Sequence, residues 1–352
     1  MSITSLRAGI IGTGFIAPVH IEALRRIGVQ VTAVCGSTAG ARATAEKWAI
    51  PEVYGDYDYR AMYASPNVDV VHITSPNKLH VEHSVKCIEA GIPQLLEKPI
   101  ASTVAEGEEL VKIVERKVAR VLIGHHRAHS PIMAKAKQVI DSGVLGRLVG
   151  VMGSATFLKP DHYFEDAPWR KQAGAGPILL NMIHEVHNLR MLCGDIAAVQ
   201  AFSSHAVREF PVEDTVAISL RFANGALGTF LLSDTAACPR SWEQTSQENK
   251  AYPTYDDEDC YTITGTNGCL SIPTMRIKTY PRPEDRSWWK PFEVGVVGMV
   301  RDDPIKHQME HFGAVVRGEA APIVTALDGL KNLRITEAIV AAARTGSLVA
   351  TA

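Results

Sequence analysis

Residues 7–17 read RAGIIGTGFIA, a short apolar run that ends in closely spaced glycines. The run predicts a β-strand, and the apolar residues from Ile16 onward recur at helical spacing. Gly12, Gly14 and Ala17 therefore form the pattern G-x-G-x-x-A between a strand and a helix. In that context the first glycine allows a tight turn, the second allows a pyrophosphate to approach the backbone, and the small third residue allows close packing. The predicted dinucleotide contacts are Gly12, Thr13, Gly14, Phe15 and Ile16.

The first 125 residues alternate between strand-like and helix-like segments. The predicted strands are Leu6–Ile11, Gln30–Cys35, Val68–Thr74, Gln94–Glu97 and Arg120–Gly124. Helical patterns separate them, and Thr103 with Glu106 forms a capping box that opens one helix. Strands that alternate with helices are typical of βαβ units. The N-terminal part is therefore predicted to be a Rossmann domain, with a doubly wound parallel sheet.

The pattern changes after about residue 147. Thr215–Phe222 alternates apolar and polar residues, and Asn224-Gly225 follows before a second strand-like run, which predicts a β-hairpin. Another hairpin is predicted at residues 260–272, and residues 239–259 are predicted to be a long loop. These signals favour a C-terminal α+β domain with a large, mostly antiparallel open sheet. We expect domains at residues 1–124 and 125–352, with a helix at about 325–345 that can pack back on the Rossmann domain.

Composition excludes several classes of protein. The 352 residues include 36 Lys and Arg against 38 Asp and Glu, a balance that argues against nucleic-acid binding. No stretch approaches the roughly 20 apolar residues that span a bilayer, so we expect no membrane association. The N-terminus lacks the pattern of a signal peptide, and the six cysteines form neither a C-x-x-C pair nor a regular framework. These features favour a cytoplasmic location without a structural zinc site.

The end of the second predicted strand bears on the choice of cofactor. An acidic residue there commonly binds the ribose 2′-hydroxyl of NAD, but this chain has Gly36, Ser37 and Thr38, with Arg42 shortly after. Small hydroxyl residues and an arginine accept a 2′-phosphate, which favours NADP(H) and leaves NAD(H) possible. The alternative for Arg42 is an ordinary exposed helix residue.

Two further motifs follow the third and fourth strands. The first is Thr74-Ser75-Pro76-Asn77-Lys78-Leu79-His80, and the second is Glu97-Lys98-Pro99. With the glycine turn, they resemble the glucose–fructose oxidoreductase, inositol dehydrogenase and MocA (Gfo/Idh/MocA) family, and the resemblance extends over nearly the whole chain. It implies a two-domain NAD(P)-dependent oxidoreductase, a dehydrogenase or reductase that acts on a hydroxyl or carbonyl carbon of a sugar, polyol or related small molecule.

The resemblance also implies site residues. Lys98 takes the place of the lysine that touches the reacting oxygen, and His184 that of the acid/base histidine. Both assignments suit the chemistry, because an ammonium stabilises an alkoxide and a histidine titrates near neutrality. The family commonly has aspartates at the positions of Leu180 and His187, and Asn181 supplies a polar group nearby. A less anionic pocket makes a carboxylated or less polar substrate more credible. The cofactor contacts implied by the strand-end motifs are Thr74, Ser75, Pro76, Asn77, His80, Glu97 and Lys98.

The remaining candidates are predicted to contact substrate: Tyr163, Trp169, Arg170, Asn181, His187 and His126. Arg170 either binds a substrate carboxylate or braces a loop, and His126 either lines a cleft or ends a strand. The run His184-Glu185-Val186-His187 falls one residue short of the H-E-x-x-H zinc motif, so no metal is expected.

The predicted reaction is hydride transfer between nicotinamide and a carbon of a small polar substrate. Three alternatives remain open: an enzyme that retains its cofactor and gives net lyase, epimerase or hydrolase chemistry, a non-catalytic dinucleotide sensor, and reduction of a carbon–nitrogen or carbon–carbon double bond. By analogy with relatives, we expect a homodimer or homotetramer through the C-terminal sheet.

Overall fold

The computed structural model describes residues 3–172 and 174–351. These residues form two compact units. The first contains the chain up to residue 129 together with residues 304–333, and the second contains residues 130–303 and the chain from 334 onward. A single boundary between residues 124 and 125, as the sequence suggested, leaves out the return of 304–333 to the first unit.

The first unit contains a parallel β-sheet. Its strands in the described residues are β1 (Arg7–Ile11), β2 (Gln30–Cys35), β3 (Glu52–Tyr54), β4 (Val70–Ile73), β5 (Gln94–Glu97) and β6 (Val121–Gly124). They lie in the order β3-β2-β1-β4-β5-β6, so the direction of winding reverses between β1 and β4. This is the doubly wound Rossmann order, which places ligands outside the carboxyl ends of the strands. The predicted fold of this part is confirmed.

One strand of this sheet was not predicted. β3 is only three residues long and none of its side chains is buried, so it carries no apolar run that sequence patterns detect. It pairs with β2, with Tyr54 beside Cys35.

Helices surround this sheet. They are α1 (Ala17–Arg26), α2 (Thr38–Trp48), α3 (Tyr59–Tyr63), α4 (His80–Glu89) and α5 (Val104–Lys117). The predicted capping box begins α5: Thr103 Oγ1 accepts the Glu106 N–H at 3.3 Å, and Glu106 Oε2 accepts the Thr103 N–H at 3.1 Å. The core between sheet and helices includes the fully buried Ile10, Leu95 and Leu122.

The second unit contains a larger sheet. Its strands in the described residues are β7 (Leu148–Thr156), β8 (Ile196–Ser204), β9 (Thr215–Phe222), β10 (Leu227–Ser233), β11 (Tyr261–Gly265), β12 (Gly268–Ile272), β13 (Arg276–Thr279), β14 (Glu293–Val296) and β15 (Val349–Ala350). The order is β14-β13-β12-β11-β7-β10-β9-β8-β15. β7 and β10 are parallel, and the other neighbours are antiparallel. The predicted open, mostly antiparallel sheet is confirmed, and both predicted hairpins lie in it.

The second unit also contains helices. They are α6 (Pro131–Asp141), α7 (Asp161–Glu165), α8 (Ile183–Cys193) and α9 (Trp242–Thr245). Val186 and Leu189 of α8 join a core with Ile218 and Phe222 of β9. The segment 239–259, predicted as a long loop, includes α9, and Trp242 is buried in the same core. The loop prediction is wrong in part, because the polar composition of the segment gave no indication that Trp242 is buried in the core.

Two helices complete the described chain. α10 (Pro304–Arg317) lies in the first unit, where Phe312 contacts the ring of His72 edge-on. α11 (Ala326–Thr345) contributes its residues up to Leu333 to the first unit and the remainder to the second. Across the described residues, no helix combines the length and the apolar character needed to cross a bilayer.

Candidate active site

The glycine turn joins the end of β1 to the start of α1. Gly12 has a φ of +96°, and a Cβ there would lie 2.5 Å from the Thr74 carbonyl oxygen. Gly14 differs, because a Cβ there would meet nothing within 4 Å. Ala17 is completely buried, as close helix–strand packing requires. Gly12 is therefore needed by the fold, whereas Gly14 keeps open a space on the exposed side of the turn.

The start of α1 fits an anionic ligand. Among the described side chains none caps this helix, and Pro18 occupies its first turn. Phe15 is 89 % exposed, and the Ala17 N–H makes only a 3.3 Å bond to the Gly14 carbonyl. Uncapped N–H groups and the positive end of the helix dipole attract phosphate. The turn and the open space at Gly14 thus suit the pyrophosphate of a dinucleotide.

A carboxylate lies at the end of β2, although the sequence there contains none. The Thr38 hydroxyl donates to Asp56 Oδ1 at 2.5 Å, and the Asp56 N–H donates to Thr38 Oγ1 at 3.1 Å. The loop after β3 brings Asp56 there, because the Tyr57 N–H binds the Gly36 carbonyl at 2.9 Å. The expectation that this position lacks an acid is therefore wrong. The reason is that β3 was not predicted. The loop after β3 brings Asp56, which lies 18 residues after Thr38 in the sequence, next to Thr38.

The other residues of this region have distinct places. Ser37 caps α2 by accepting the Gly40 N–H at 3.2 Å. A Cβ at Gly36 would lie 2.9 Å from a methyl carbon of Thr13, so Gly36 allows Thr13 to pack at the strand end. Arg42 is exposed on α2, four residues after Thr38 and hence on the same side of the helix.

The segment after β4 is held by hydrogen bonds. The Thr74 hydroxyl donates to the Ile11 carbonyl at 2.8 Å, and the ring of buried His80 links the carbonyls of Ser75 and Pro99 at 2.9 and 2.7 Å. Burial lowers the pKa of His80, although both carbonyls oppose that shift. Thr74 and His80 thus fix the backbone of the two strand-end motifs. Pro76 and Asn77 are exposed.

A buried carboxylate lies beneath this edge of the sheet. Glu97 Oε1 accepts from His20 Nε2 at 2.9 Å, and the Nδ1 atoms of His20 and His72 are 3.1 Å apart. Burial alone would raise the pKa of Glu97, but the His20 hydrogen bond and the charge of Lys98 outweigh it and leave that pKa lowered. Burial lowers the pKa of His72 well below its usual value. The bond between His20 and Glu97 ties α1, which begins at the glycine turn, to β5, which Lys98 directly follows.

Lys98 and His126 are half-buried near Glu97. Lys98 directly follows β5. The charges of Lys98 and His126 both contribute to the lowered pKa of Glu97. His125, next to His126, is buried and pairs through Nε2 with the Asn332 amide at 3.1 Å. Its burial and its partner identify His125 as part of the packed interior of the first unit.

The predicted catalytic helix of the second unit begins irregularly. A π-helical turn spans Ile178–Met182, and α8 follows with His184 half-buried in its first turn and His187 buried. Glu185 accepts a hydrogen bond from the buried Tyr261 hydroxyl, which also accepts from the Asn188 amide. Glu185 therefore anchors α8 to β11. Within residues 3–172 and 174–351, no group of three or more His, Cys, Asp or Glu side chains could hold a metal ion.

A lysine with a mostly buried side chain connects three of the predicted substrate residues. Lys159 Nζ donates to Asn181 Oδ1 at 3.0 Å and to Asp234 Oδ2 at 3.2 Å, and it lies 5.1 Å from the ring centre of Tyr163. The Arg170 guanidinium stacks on that ring at 3.9 Å and donates to the Tyr163 carbonyl at 2.7 Å. Burial lowers the pKa of Lys159, against the attraction of Asp234. Sequence analysis missed Lys159, and its only local signal was a lysine that directly follows two large apolar residues, Phe157 and Leu158.

Trp169, another of the predicted substrate residues, lies beside Arg170. Trp169 is 57 % exposed, with its ring 5.7 Å from the Arg170 guanidinium. The contacts of Arg170 with Tyr163 brace the segment between α7 and the π-helical turn, which was one of the two roles left open by the sequence.

A glutamate holds the start of the π-helical turn. Glu213 Oε1 accepts the Ile178 N–H at 3.0 Å, and a Cβ at Gly176 would lie 2.2 Å from the same oxygen. Burial raises the pKa of Glu213, and the Ile178 N–H opposes that shift. Gly176 therefore allows a carboxylate to reach this helix end.

Two family models match the chain. One, described as an oxidoreductase family with an NAD-binding Rossmann fold, matches residues 6–125, and the GFO/IDH/MocA C-terminal domain matches residues 133–271. The chain belongs to this family. Its first unit is an NAD-binding Rossmann domain, and the protein is an oxidoreductase of the dehydrogenase and reductase class. The family predicted from the sequence motifs is confirmed.

Named relatives support the same class. Levoglucosan dehydrogenase of Pseudarthrobacter phenanthrenivorans is 30% identical over 200 residues, which cover 49% of this chain and 51% of that protein. The 1,5-anhydro-D-fructose reductase of Ensifer adhaerens is 27% identical over 97% of each chain. Among solved structures, the WlbA dehydrogenase from Bordetella pertussis, in complex with NADH and UDP-GlcNAcA, has a TM-score of 0.76 at 21% identity and covers 98% of each chain.

The two glycines of the turn lead to different expected effects. Gly14→Ala should leave the melting temperature unchanged, because the added methyl meets no protein atom, yet weaken NADH binding at least about tenfold, because it occupies the phosphate space. Gly12→Ala should lower the melting temperature, since its φ is positive and its Cβ would collide with backbone. Thermal unfolding and fluorescence titration with NADH measure both effects. If Gly14→Ala binds NADH with wild-type affinity, the phosphates do not bind at Gly14.

The His20–Glu97 pair should make stability depend on pH. A lowered pKa means that Glu97 contributes stability above its unfolded value of about 4.5, and loses it as the pH falls through the folded value. His20→Ala leaves a buried carboxylate without its main partner, which should cost about 3 kcal/mol at pH 7 and clearly less at pH 4. Urea unfolding at both pH values tests this.

The double variant His20→Ala with Glu97→Gln is the control for that experiment. A neutral amide is cheaper to bury than a carboxylate, so it should recover part of the lost stability. An equal cost of His20→Ala at pH 7 and pH 4, or no recovery in the double variant, would contradict the role given to this pair.

Proposed function

We propose that the protein transfers a hydride between a nicotinamide dinucleotide and a hydroxyl- or carbonyl-bearing carbon of a small polar substrate. The observation that carries the proposal is the placement of Lys98 relative to the glycine turn. Both lie at the carboxyl edge of one parallel sheet, and two strand spacings, about 10 Å, separate β1 from β5. A dinucleotide whose phosphates bind at Gly14 extends across the switch point, so its nicotinamide half faces β4 and β5.

The roles of the protein groups follow from their chemistry. When bound, the dinucleotide supplies the hydride acceptor or donor. In the oxidative direction, His184 accepts the hydroxyl proton as the carbon loses its hydride, and in the reverse direction it returns that proton to the carbonyl oxygen. The Lys98 ammonium stabilises negative charge on the reacting oxygen in both directions. Glu97 and His80 position the backbone on which Lys98 stands.

The names of the relatives support a sugar-like or polyol-like substrate. One acts, by its name, on levoglucosan and another on 1,5-anhydro-D-fructose, both small and rich in oxygen. In this proposal Tyr163, Arg170, Asn181, His187 and His126 are the candidate substrate contacts.

Replacing Lys98 or His184 should remove most of the activity. Lys98→Met should lower kcat about 10²–10³-fold with dinucleotide affinity largely retained. His184→Ala should lower kcat about 10²–10⁴-fold and flatten the pH–rate profile near neutrality. Absorbance of the reduced nicotinamide, measured with a panel of sugars, polyols and hydroxy acids, gives the rates.

The exposed residues Lys86 and His205 provide matched controls. Lys86→Met and His205→Ala should both keep wild-type rates, because neither residue belongs to the proposed site. A wild-type rate in Lys98→Met, or an unchanged pH profile in His184→Ala, would refute the corresponding role. Consumption of substrate without net reduction of the dinucleotide would instead support an enzyme that retains its cofactor.

We propose that the protein uses both NAD(H) and NADP(H). Arg42 attracts a 2′-phosphate, as the sequence suggested, but Asp56 repels it and offers an acceptor to a free 2′-hydroxyl. The Thr38 hydroxyl is already bonded to Asp56 and so is not a free donor to phosphate. The opposing charges reduce the preference for NADP(H) expected from the sequence.

The two charges should shift cofactor choice in opposite directions. Wild-type affinities for NADH and NADPH should agree within about tenfold. Asp56→Asn should favour NADPH by about a further tenfold, and Arg42→Ala should favour NADH by a similar factor, or about 1.4 kcal/mol. Fluorescence titration with both dinucleotides measures the ratio. If neither substitution changes the ratio of NADH to NADPH affinity, the adenosine ribose does not bind near α2.

We also propose that the outer face of the second sheet mediates homodimer or homotetramer formation. Phe202, Ala217 and Leu231 are adjacent across β8, β9 and β10, and Phe202 is 69% exposed. Such an aligned apolar row is typical of an interface. Phe202→Glu with Leu231→Glu should shift the protein to monomers in sedimentation equilibrium. Wild-type protein that is already monomeric at micromolar concentration would contradict this proposal.

A further inference from the structure

The environment of Lys159 determines which chemical groups it can bind. Its backbone N–H binds the Asp234 carbonyl at 2.9 Å, which fixes the residue beyond the end of β7. The side chain is 11% exposed, and its ammonium lies 5.6 Å from the ring centre of Phe157 and 5.1 Å from that of Tyr163. A charge held between two aromatic rings, with little water, depends strongly on its hydrogen-bond partners.

The hydrogen-bond capacity of this ammonium is only partly used. A lysine has three N–H donors and no acceptor. Considering residues 3–172 and 174–351, Asn181 and Asp234 take two of these donors. The third remains for a ligand or water.

Lys159 also fixes the orientation of the Asn181 amide. Because an ammonium can only donate, the atom of Asn181 that faces it is the carbonyl oxygen, at 3.0 Å. The amide nitrogen, with two further N–H donors, therefore faces away from Lys159. Asn181 precedes His184 by three residues, so the π-helical turn that carries Asn181 leads directly into the first turn of α8, which carries His184.

Lys159 shares its carboxylate partner with a second cation. Asp234 is shared between Lys159 and Arg208, whose Nε donates to Asp234 Oδ1 at 3.1 Å. Arg170 adds another positive charge through its contact with Tyr163. Two other acids lie in this region: half-buried Glu213 accepts the Ile178 N–H, and buried Asp214 accepts the N–H groups of Val207 and Arg208.

We propose that Lys159 and Asn181 form a carboxylate-binding subsite for the substrate. The pair offers N–H donors and a positive charge but no acceptor. A carboxylate, which only accepts, can take hydrogen bonds from both residues, whereas the O–H of a hydroxyl finds no acceptor on either of them. The substrate class is therefore a small hydroxy acid or sugar acid, whose carboxylate lies a few carbons from the hydroxyl that faces His184. This inference rests on the proposed function and names its substrate class.

Matched pairs of neutral and acidic substrates test this inference. The probes are D-glucose with D-glucuronate, D-galactose with D-galacturonate, and glycerol with D-glycerate, each assayed with NAD⁺ and NADP⁺. For wild-type protein, kcat/KM for the acid should exceed that for its neutral partner at least about tenfold in one or more pairs. Lys159→Met and Asn181→Leu should raise KM for that acid at least about tenfold, with a much smaller change in kcat. Asn181→Asp, which replaces the donors with acceptors, should abolish the preference for the acid.

Controls separate binding from folding. Lys137→Met, on the exposed side of α6, should keep wild-type KM values for the acids. Melting temperatures show which variants fold, and Asn181→Leu provides the test if Lys159→Met does not, because Asn181 is only half-buried.

The outcomes distinguish this inference from the proposed function. Equal kcat/KM values for acid and neutral partners, together with unchanged KM values in the variants, would overturn the subsite and leave hydride transfer intact. Calorimetric binding of D-glucuronate that depends on Lys159, without any reduction of dinucleotide, would support the subsite and refute the proposed reaction. If none of the three acids is bound or turned over, the inference is overturned.

Discussion

No side chain fits at Gly12, because a Cβ there would lie 2.5 Å from the Thr74 carbonyl oxygen and 2.6 Å from the Ser75 nitrogen. The ends of β1 and β4 therefore meet backbone to backbone, and the Thr74 hydroxyl bonds to the Ile11 carbonyl across them. This contact lies at the point where the strand order reverses. It sets the position of the turn, and hence of α1, whose uncapped N-terminus suits phosphate. The proposed phosphate site therefore depends on this backbone contact.

Each unit also buries charged groups that a water-free interior would normally exclude. In the first unit, the Glu97 carboxylate is paired with His20, and Gly124 makes room for it, since a Cβ there would lie 2.6 Å from Glu97 Oε1. In the second, Asp234 is shared by Lys159 and Arg208. A buried charge is costly without a partner, so such pairs fix geometry rather than merely add stability. Both occur beside residues that we propose for catalysis or substrate binding, Lys98 in one unit and Asn181 in the other.

The start of the proposed catalytic helix is fixed by hydrogen bonds at several points. The π-helical turn at Ile178–Met182 widens the helix where Asn181 stands, and π-turns are frequent at functional sites. Gly176 allows Glu213 to reach the first N–H of that turn, and Lys159 holds the Asn181 amide. Downstream, Glu185 and Asn188 bind Tyr261 and fix α8 to the sheet. His184 thus lies between two anchored segments.

The sequence by itself determined the features that depend on neighbouring residues. The strands Gln30–Cys35 and Gln94–Glu97, the Thr103–Glu106 capping box and the glycine turn occur where their patterns placed them. The family motifs also identified the chain as an oxidoreductase. The tertiary structure alone decided which distant side chains meet: Asp56 with Thr38, 18 residues apart, Lys159 with Asn181, 22 apart, and His20 with Glu97, 77 apart. Periodicity and capping report on residues within a turn or two, whereas these contacts form only when the chain closes on itself and packs.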